Sequence, residues 1–276
     1  MPLVTVMLGL GLQETKMRFR PLFLVVLLMR GFLSLSAQEP LRTTVVASTA
    51  EITIRKLDGE IYLIEDRHFL ATNYVFYVGS RFVTLVGAMW TPDVAAQVKD
   101  LISKVTSKPI KEIVNVDYNP EYSGGNQFWR ANGIDVISTE LTAKLQREQW
   151  ESICNFIRKY VPDYPTVMQV SSNTTFPGSF DLQYHNLRVF FLGGSHTPDD
   201  VFVYFPQEKI LYAGSILKDQ LGNMAFSNVE EYRKTLQKLR NLDLPIRMII
   251  SGHYSAIHDS SLIERFLEML NGYKNN

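Results

Sequence analysis

The sequence predicts an α/β fold in which mixed β-sheets are layered with helices. Hydrophobic residues make up 46% of the 276 residues and charged residues 20%, an ordinary balance for one large globular domain. Short apolar or alternating runs predict strands, and runs with apolar residues three and four apart predict helices. Both halves of the chain show one order, with β-hairpins first and strand–helix units after them. Layers of sheet and helix would bury all of these elements around a shared core.

The first half begins with two predicted hairpins. Leu57-Asp58-Gly59 and Gly79-Ser80-Arg81 supply their turns. Thr91 is expected to cap a helix that begins at Pro92, because a threonine hydroxyl satisfies free backbone N–H groups and proline fits the first helical turn. The predicted elements of this half are strands over 51–56, 60–65, 73–78 and 82–86, a helix over 92–105, a strand over 112–116, a helix over 127–132, a strand over 134–138 and a helix over 139–160.

The second half repeats this pattern. Pro206-Gln207-Glu208-Lys209 supplies the turn of a further hairpin. The predicted elements are strands over 180–184, 187–192, 201–205 and 210–212, an amphipathic helix over 228–239, a buried strand over 246–250 and a closing helix over 260–270.

A secretory signal is predicted near the N-terminus. The basic start Met17-Arg18-Phe19-Arg20 precedes an apolar run, and the small residues of Ser34-Leu35-Ser36-Ala37 follow it. The apolar run is too short to span a bilayer, so we expect cleavage after it and no stable membrane anchor; an uncleaved anchor is the alternative. Residues 1–37 are assigned to an N-terminal extension with the signal peptide, and 38–276 to a single domain. We therefore expect a periplasmic or secreted protein.

The overall composition argues against two further features. The formal net charge is zero, so we expect no polyanion-binding surface and no nucleic-acid partner. Cys154 is the only cysteine, so no internal disulfide can form. Its apolar, helical surroundings indicate a buried structural thiol.

One polar stretch dominates the candidate chemistry. Asp117, Asn119 and Glu121 occupy alternate positions after the predicted strand over 112–116. Side chains at every second position of an extended segment share a face, and three short oxygen-bearing side chains can converge on one cation. Loops at the carboxyl ends of strands are also where open α/β sheets place ligands. The alternative is a solvated turn capped by Asn126.

The stretch resembles the metal-binding motif of the metallo-β-lactamase superfamily, usually His-x-His-x-Asp-His followed by a small residue, two glycines and asparagine. The frame persists here as Ser123-Gly124-Gly125-Asn126, but every ligand slot is changed. Asp117 and Asn119 stand in the first two histidine slots. Glu121 stands in the aspartate slot, and Tyr122 in the last histidine slot.

Later segments resemble the same family in the same order. His196 and His253 match two metal-ligand positions. Ser215 stands where close relatives carry a metal-binding cysteine. Lys218 matches a lysine that binds the substrate carboxylate, and Asn223 an asparagine that contacts the substrate. The resemblance thus implies a small-molecule substrate that is anionic.

The resemblance covers roughly residues 48–270. It implies the αββα sandwich of that family, the metallo-β-lactamase fold, with two mixed β-sheets and helices on the outer faces. The segments 203–206 and 216–218 look most like the subclass that works with one zinc and prefers carbapenems.

The substitutions change the chemistry that the resemblance implies. In the family, zinc lowers the pKa of a bound water and polarises the lactam carbonyl. Loss of a thiolate and two imidazoles should lower zinc affinity, and the oxygen-rich set that remains leans toward Mn²⁺ or Fe²⁺. If no metal binds, Asp117 and Glu121 would repel each other, and one of them would carry a raised pKa. The candidate ligands of a divalent metal are Asp117, Asn119 and His196 at one position, and Glu121, Ser215 and His253 at the other. Four of them could still form one site: Asp117, Glu121, His196 and His253.

Three functions remain open. The first is an exported metal-dependent hydrolase that acts on a β-lactam or a related amide or ester. The second is a catalytically inactive relative that keeps the cleft to bind a small molecule. The third is a hydrolase that needs no metal and uses Asp117 or Glu121 as general base. We favour a retained hydrolase-type site in a monomer, with weak zinc-dependent β-lactamase activity at most, in which Glu121 and Asp117 are catalytic and Lys218 and Asn223 bind substrate.

Overall fold

The structure, a computed structural model, describes residues 43–182 and 187–273. These residues belong to one compact unit. The predicted signal peptide and the predicted start of the domain at residue 38 lie outside them. Among the described residues, no helix is long and apolar enough to cross a membrane.

The first sheet is built by the amino-terminal half of the described chain. Its strands are β1 (Thr44–Ser48), β2 (Ile52–Asp58), β3 (Ile61–Asp66), β4 (Thr72–Val78), β5 (Val83–Val86), β6 (Ile110–Val114), β7 (Asp135–Thr139) and β8 (Thr174–Phe176). They lie in chain order across the sheet. Neighbours are antiparallel from β1 to β5 and parallel from β5 to β8, so the sheet is mixed.

The second sheet is built by the carboxyl-terminal half. Its strands are β9 (Phe180–Leu182), β10 (Leu187–Phe190), β11 (Phe202–Phe205), β12 (Ile210–Gly214), β13 (Met248–Ser251) and β14 (Ile257–His258). They also lie in chain order, from β9 at one edge to β14 at the other. This sheet is mixed as well, because β12 and β13 pair in parallel while the other neighbours are antiparallel.

Alternation along β11 shows how the layers are stacked. Val203 and Phe205 pack into a core shared with the first sheet, whereas Phe202 and Tyr204 pack on the opposite side against two helices. Successive strand residues point to opposite faces, so one sheet face meets the other sheet and one meets helices. The helices are α1 (Pro92–Val105), α2 (Pro120–Ser123), α3 (Asn126–Ala131), α4 (Glu140–Ile157), α5 (Val229–Asn241) and α6 (Leu262–Gly272). The predicted αββα sandwich is confirmed.

Side-chain caps begin the longer helices where the sequence predicts them. The Thr91 hydroxyl accepts a hydrogen bond from Val94 N at 3.2 Å, and Pro92 opens α1. The Asn228 side chain accepts from two backbone N–H groups at the start of α5. Each contact satisfies N–H groups that have no partner inside the helix, which is why these residues fix the helix starts.

Some elements differ from the prediction. The structure adds β1, α2, β8 and β14, which were not predicted because β1 is a largely exposed strand and the others span only two to four residues. The long helix α4 ends at Ile157 and not at Tyr160. Pro162 lies just beyond, and a proline disfavours helical backbone at the residue before it.

The only cysteine, Cys154, is buried at 4% exposure in a small apolar cluster with Trp90 and Tyr164. Burial raises the pKa of its thiol to about 11. At pH 8 the reactive thiolate is then about one part in a thousand of the thiol. We expect a thiol reagent such as DTNB to leave the folded protein unlabelled at pH 8 and to label one thiol per chain after unfolding. Rapid labelling of the folded protein would contradict this burial.

Candidate functional site

A cavity of about 380 Å³ opens where loops after several strands meet. Part of its lining is polar, namely Asn119, Glu121, His196, Lys218, Asn223 and His253. Part is apolar, namely Leu70, Ile153, Phe156, Ile157, Tyr160 and Phe226. The polar residues come from the loops that follow β6, β10, β12 and β13, so strand ends bring together residues that are distant in sequence.

The loop after β6 is buried and held by side-chain hydrogen bonds, so it is not a solvated turn. Asn115 Nδ2 donates to Tyr122 O at 2.8 Å, and Asn126 Nδ2 donates to Asn115 Oδ1 at 2.9 Å. Gln146 Nε2, from α4, donates to the same Asn115 oxygen at 2.9 Å. Asn126 thus ties the loop to its own strand instead of capping a helix. The ties fix the backbone that carries Glu121.

Glu121 lies at the centre of the polar lining. Its Oε1 is 3.2 Å from His253 Nε2 and accepts a hydrogen bond from Ser215 Oγ at 3.2 Å. The other ring nitrogen of His253, Nδ1, is 3.0 Å from Ala71 O. A carbonyl can only accept, so Nδ1 carries a proton. Through Nε2 the same ring contacts the carboxylate of Glu121, so Ala71 O and Glu121 together hold the imidazole in one orientation.

Tyr122 fills the space behind this pair. It is fully buried, and its ring meets that of Tyr74 edge-on with 5.8 Å between centroids. Its hydroxyl oxygen lies 3.3 Å from Ser215 Oγ. Burial is the main cause that raises the pKa of this phenol well above its usual value, so it stays neutral. Tyr122 therefore packs in the interior and does not line the cavity. It stands at the position where the resembled family has the last histidine of its metal-binding motif.

His196 faces an ammonium group. Lys218 Nζ lies 3.4 Å from His196 Nδ1 and donates to Ser215 O at 2.9 Å. The pKa of His196 is lowered well below its usual value, first by burial and then by the charges of Lys218 and His253. Burial also lowers the pKa of Lys218 to about 8. His196 is thus a neutral imidazole beside a buried lysine.

Asp117 lies behind the cavity and does not line it. Its Oδ1 accepts from Asn119 N at 2.7 Å, and its Oδ2 is buried with no hydrogen-bond partner among the described residues. The pKa of Asp117 is raised well above its usual value, first by burial and then by the charges of Asp200 and Glu121. Burial is thus a larger cause than the repulsion from Glu121 that the sequence suggested.

The two predicted substrate-binding residues both line the cavity. Lys218 is only 2% exposed, whereas Asn223 is exposed and uses its Oδ1 to accept from Ala225 N at 2.8 Å. That contact leaves the amide NH₂ of Asn223 as the group that can donate to a ligand.

Two groups of residues were missed by the sequence analysis. One is the buried acid pair Asp199 and Asp200, whose pKa values burial raises to about 7 and about 6. The other is the apolar lining from α4 and from the turn that follows it. Ile153, Ile157 and Tyr160 recur three and four positions apart, a spacing that indicates one helical face. That spacing could have predicted a wall facing the cavity, although a face in the core has the same pattern.

The donor groups, as arranged, do not fit the zinc site of the resembled family. Within the described ranges, no three His, Cys, Asp or Glu side chains form a group that could hold a metal ion. The reasons are local. Glu121 and His253 bond to each other, His196 faces an ammonium, and Ser215 offers a neutral hydroxyl where a thiolate would be charged. Two buried oxygens, Asp117 Oδ2 and Asn119 Oδ1, lack hydrogen-bond partners, but they add only one charged donor.

Comparison with known proteins agrees with this fold. The model of the metallo-beta-lactamase superfamily matches residues 68–253. A metallo-beta-lactamase type 2 of Elizabethkingia meningoseptica is 21% identical over 235 residues, which cover 82% of this chain and 88% of the relative. One of Bacillus cereus is 22% identical over 233 residues, covering 80% and 84%. A metallo-β-lactamase structure from Erythrobacter litoralis superposes with a TM-score of 0.70 at 19% identity, covering 84% of this chain and all of the other. With the family model spanning well over half of its length, the chain belongs to the metallo-β-lactamase superfamily.

Proposed function

We propose that this protein is a hydrolase for small anionic esters or amides, in which Glu121 is the general base and zinc-dependent β-lactam hydrolysis is weak or absent. Membership of the superfamily supports a hydrolase in general, and the family usually binds zinc. The contact between Glu121 and His253 in the cavity lining supports the more specific proposal.

The proposed chemistry uses groups that the chain itself supplies. Glu121 can accept a proton from a water molecule as that water attacks the substrate carbonyl, a role that contributes roughly 10²- to 10⁴-fold in rate. His253 Nε2 lies 3.2 Å from Glu121 Oε1 and can orient this carboxylate, while Ala71 O fixes the orientation of the imidazole ring. Lys218 and Asn223 are the proposed contacts for the anionic group of the substrate, and the apolar lining would hold its body.

The test is a hydrolysis assay with and without metal. Chromogenic anionic esters, amides and a carbapenem would be offered to the protein in a strong chelator and in added zinc. We expect ester or amide turnover that the chelator does not reduce, and carbapenem turnover close to background. Turnover that is abolished by the chelator and restored by zinc would contradict the proposal.

A second candidate function is a catalytically inactive protein that binds a small molecule. The contact between Lys218 and His196 favours this inactive alternative, because one of the two retained histidines faces an ammonium group. In that case an anionic ligand should raise the melting temperature without being consumed. The same ligand panel, followed by product analysis, separates the two candidates.

We also propose that the protein is exported to the periplasm or secreted, on the strength of the signal-like residues 17–37. Expression of the full chain in a bacterium should yield a mature protein that begins near Gln38. N-terminal sequencing of the protein from the periplasmic or extracellular fraction tests this. A mature protein that still begins with Met1 or Met17 would contradict export with cleavage.

A further inference from the structure

We propose that the apolar part of the cavity binds an aromatic group, so that the ligand of this protein is an anion that carries an aryl body. The inference rests on the proposed function only in that Lys218 and Asn223 are taken to contact the anionic group. It names the chemistry of the rest of the ligand, and it holds whether that ligand is hydrolysed or only bound.

Three aromatic side chains in the cavity lining contact one another in sequence. The ring of Phe226 meets that of Phe156 edge-on, with centroids 4.6 Å apart and planes inclined at 70°. The ring of Phe156 lies 5.2 Å from that of Tyr160, with planes inclined at 52°. All three residues line the cavity, and together we call them the aromatic wall.

The aromatic wall joins two distant parts of the chain. Phe156 lies on α4 and Tyr160 in the turn after it, whereas Phe226 lies in the segment between β12 and α5. Ser227 Oγ, from the residue next to Phe226, donates to His196 O at 3.0 Å. This hydrogen bond holds the Phe226 end of the wall beside the polar lining. A ligand whose anionic group reaches the polar lining can therefore place its body against the wall.

The aromatic wall is accessible and is not covered by core packing. Phe156 and Phe226 are half-buried, and Tyr160 is 59% exposed. Leu70 and Tyr254 also line the cavity and are 39% and 47% exposed. Single exposed apolar residues are common on protein surfaces, but several grouped around one cavity indicate a ligand site.

The aromatic wall favours an aryl group over an alkyl group. Rings that meet edge-to-face or offset gain roughly two- to tenfold in affinity beyond the effect of the apolar area they bury. Ile153 and Ile157, from the same helix as Phe156, add aliphatic contacts that either kind of group could use. The preference for an aryl group should therefore come from Phe156, Phe226 and Tyr160.

The test measures binding of three anions by titration calorimetry, namely butyrate, 4-phenylbutyrate and 4-cyclohexylbutyrate. The last two carry rings of equal carbon number, of which only the phenyl ring is aromatic. Phe156→Leu and Phe226→Leu each remove one ring from the wall and keep an apolar side chain. Phe128→Leu is the matched control, because Phe128 is half-buried, packs against Trp129 and lies outside the described cavity lining. These measurements do not depend on turnover.

We expect the native protein to bind 4-phenylbutyrate at least about tenfold more tightly than butyrate, because the ring buries apolar area. It should also bind 4-phenylbutyrate at least about twofold more tightly than 4-cyclohexylbutyrate. Phe156→Leu and Phe226→Leu should each weaken binding of 4-phenylbutyrate, whereas Phe128→Leu should leave it unchanged.

Equal affinity of the native protein for butyrate and 4-phenylbutyrate, or tighter binding of 4-cyclohexylbutyrate, would overturn the proposal. That result needs only the native protein, so it stands even if a variant fails to fold. Folded leucine variants of the wall that bind 4-phenylbutyrate like the native protein would also overturn it. Selective binding of 4-phenylbutyrate without hydrolysis of any ester or amide would support this inference and contradict the proposed hydrolase.

Discussion

Replacing Glu121 with glutamine is expected to lower kcat/KM for the chelator-insensitive substrate about 100-fold or more. Glutamine keeps the size of the side chain and an oxygen that can accept from Ser215, but an amide cannot take a proton from water. Loss of a general base removes a contribution of roughly 10²- to 10⁴-fold. Most of the loss should fall on kcat, because Lys218 and Asn223 are unchanged.

The matched control for this prediction is Glu148→Gln. Glu148 lies on α4 with a side chain that is 53% exposed, and its partner Lys144 is 4.0 Å away on the surface. We expect this variant to keep native kcat/KM. If Glu121→Gln retains native turnover while both variants keep the native melting temperature, Glu121 is not the base.

Replacing Gly124 with alanine is expected to lower the free energy of unfolding by more than about 3 kcal/mol, an unusually large effect for one methyl group. The backbone of Gly124 has φ −62° and ψ −31°, which alanine adopts freely. The cost is therefore steric. An added Cβ would lie 1.9 Å from Trp90 O and 2.8 Å from Pro120 O. Both are backbone atoms, which cannot move aside as a flexible side chain can.

Gly133→Ala is the control for backbone conformation. Gly133 has φ +70°, but an added Cβ would meet nothing within 4 Å. This substitution should lower the free energy of unfolding by about 1–2 kcal/mol, from the left-handed conformation alone. Urea unfolding of both variants gives the comparison. A Gly124→Ala protein as stable as Gly133→Ala would show that the loop does not pack against Trp90 this closely.

The layers of the fold could be predicted from local signals. The caps at Thr91 and Asn228 mark helix starts because their side chains bond to backbone N–H groups only two or three residues away. The alternation of Val203 and Phe205 with Phe202 and Tyr204 marks a strand buried on both faces. Each signal depends on neighbours in sequence, so each can be seen without the tertiary structure.

The positions of the site residues could be predicted only in part. The family resemblance implied that Glu121, His196 and His253 would approach one cleft, and all three line the cavity. The sequence could not show that Lys218 points inward at His196 or that Glu121 bonds directly to His253. Those contacts join loops after different strands, and side-chain direction there depends on packing around residues such as Tyr122.

Metal analysis of the native protein tests the central claim most directly, namely that Glu121 and His253 contact each other where the family binds zinc. The protein would be expressed in zinc-supplemented medium, purified without chelator and dialysed against metal-free buffer. Elemental analysis should then find well below one zinc per chain, with a melting temperature that added zinc does not raise. One or two zinc ions retained per chain would contradict the account.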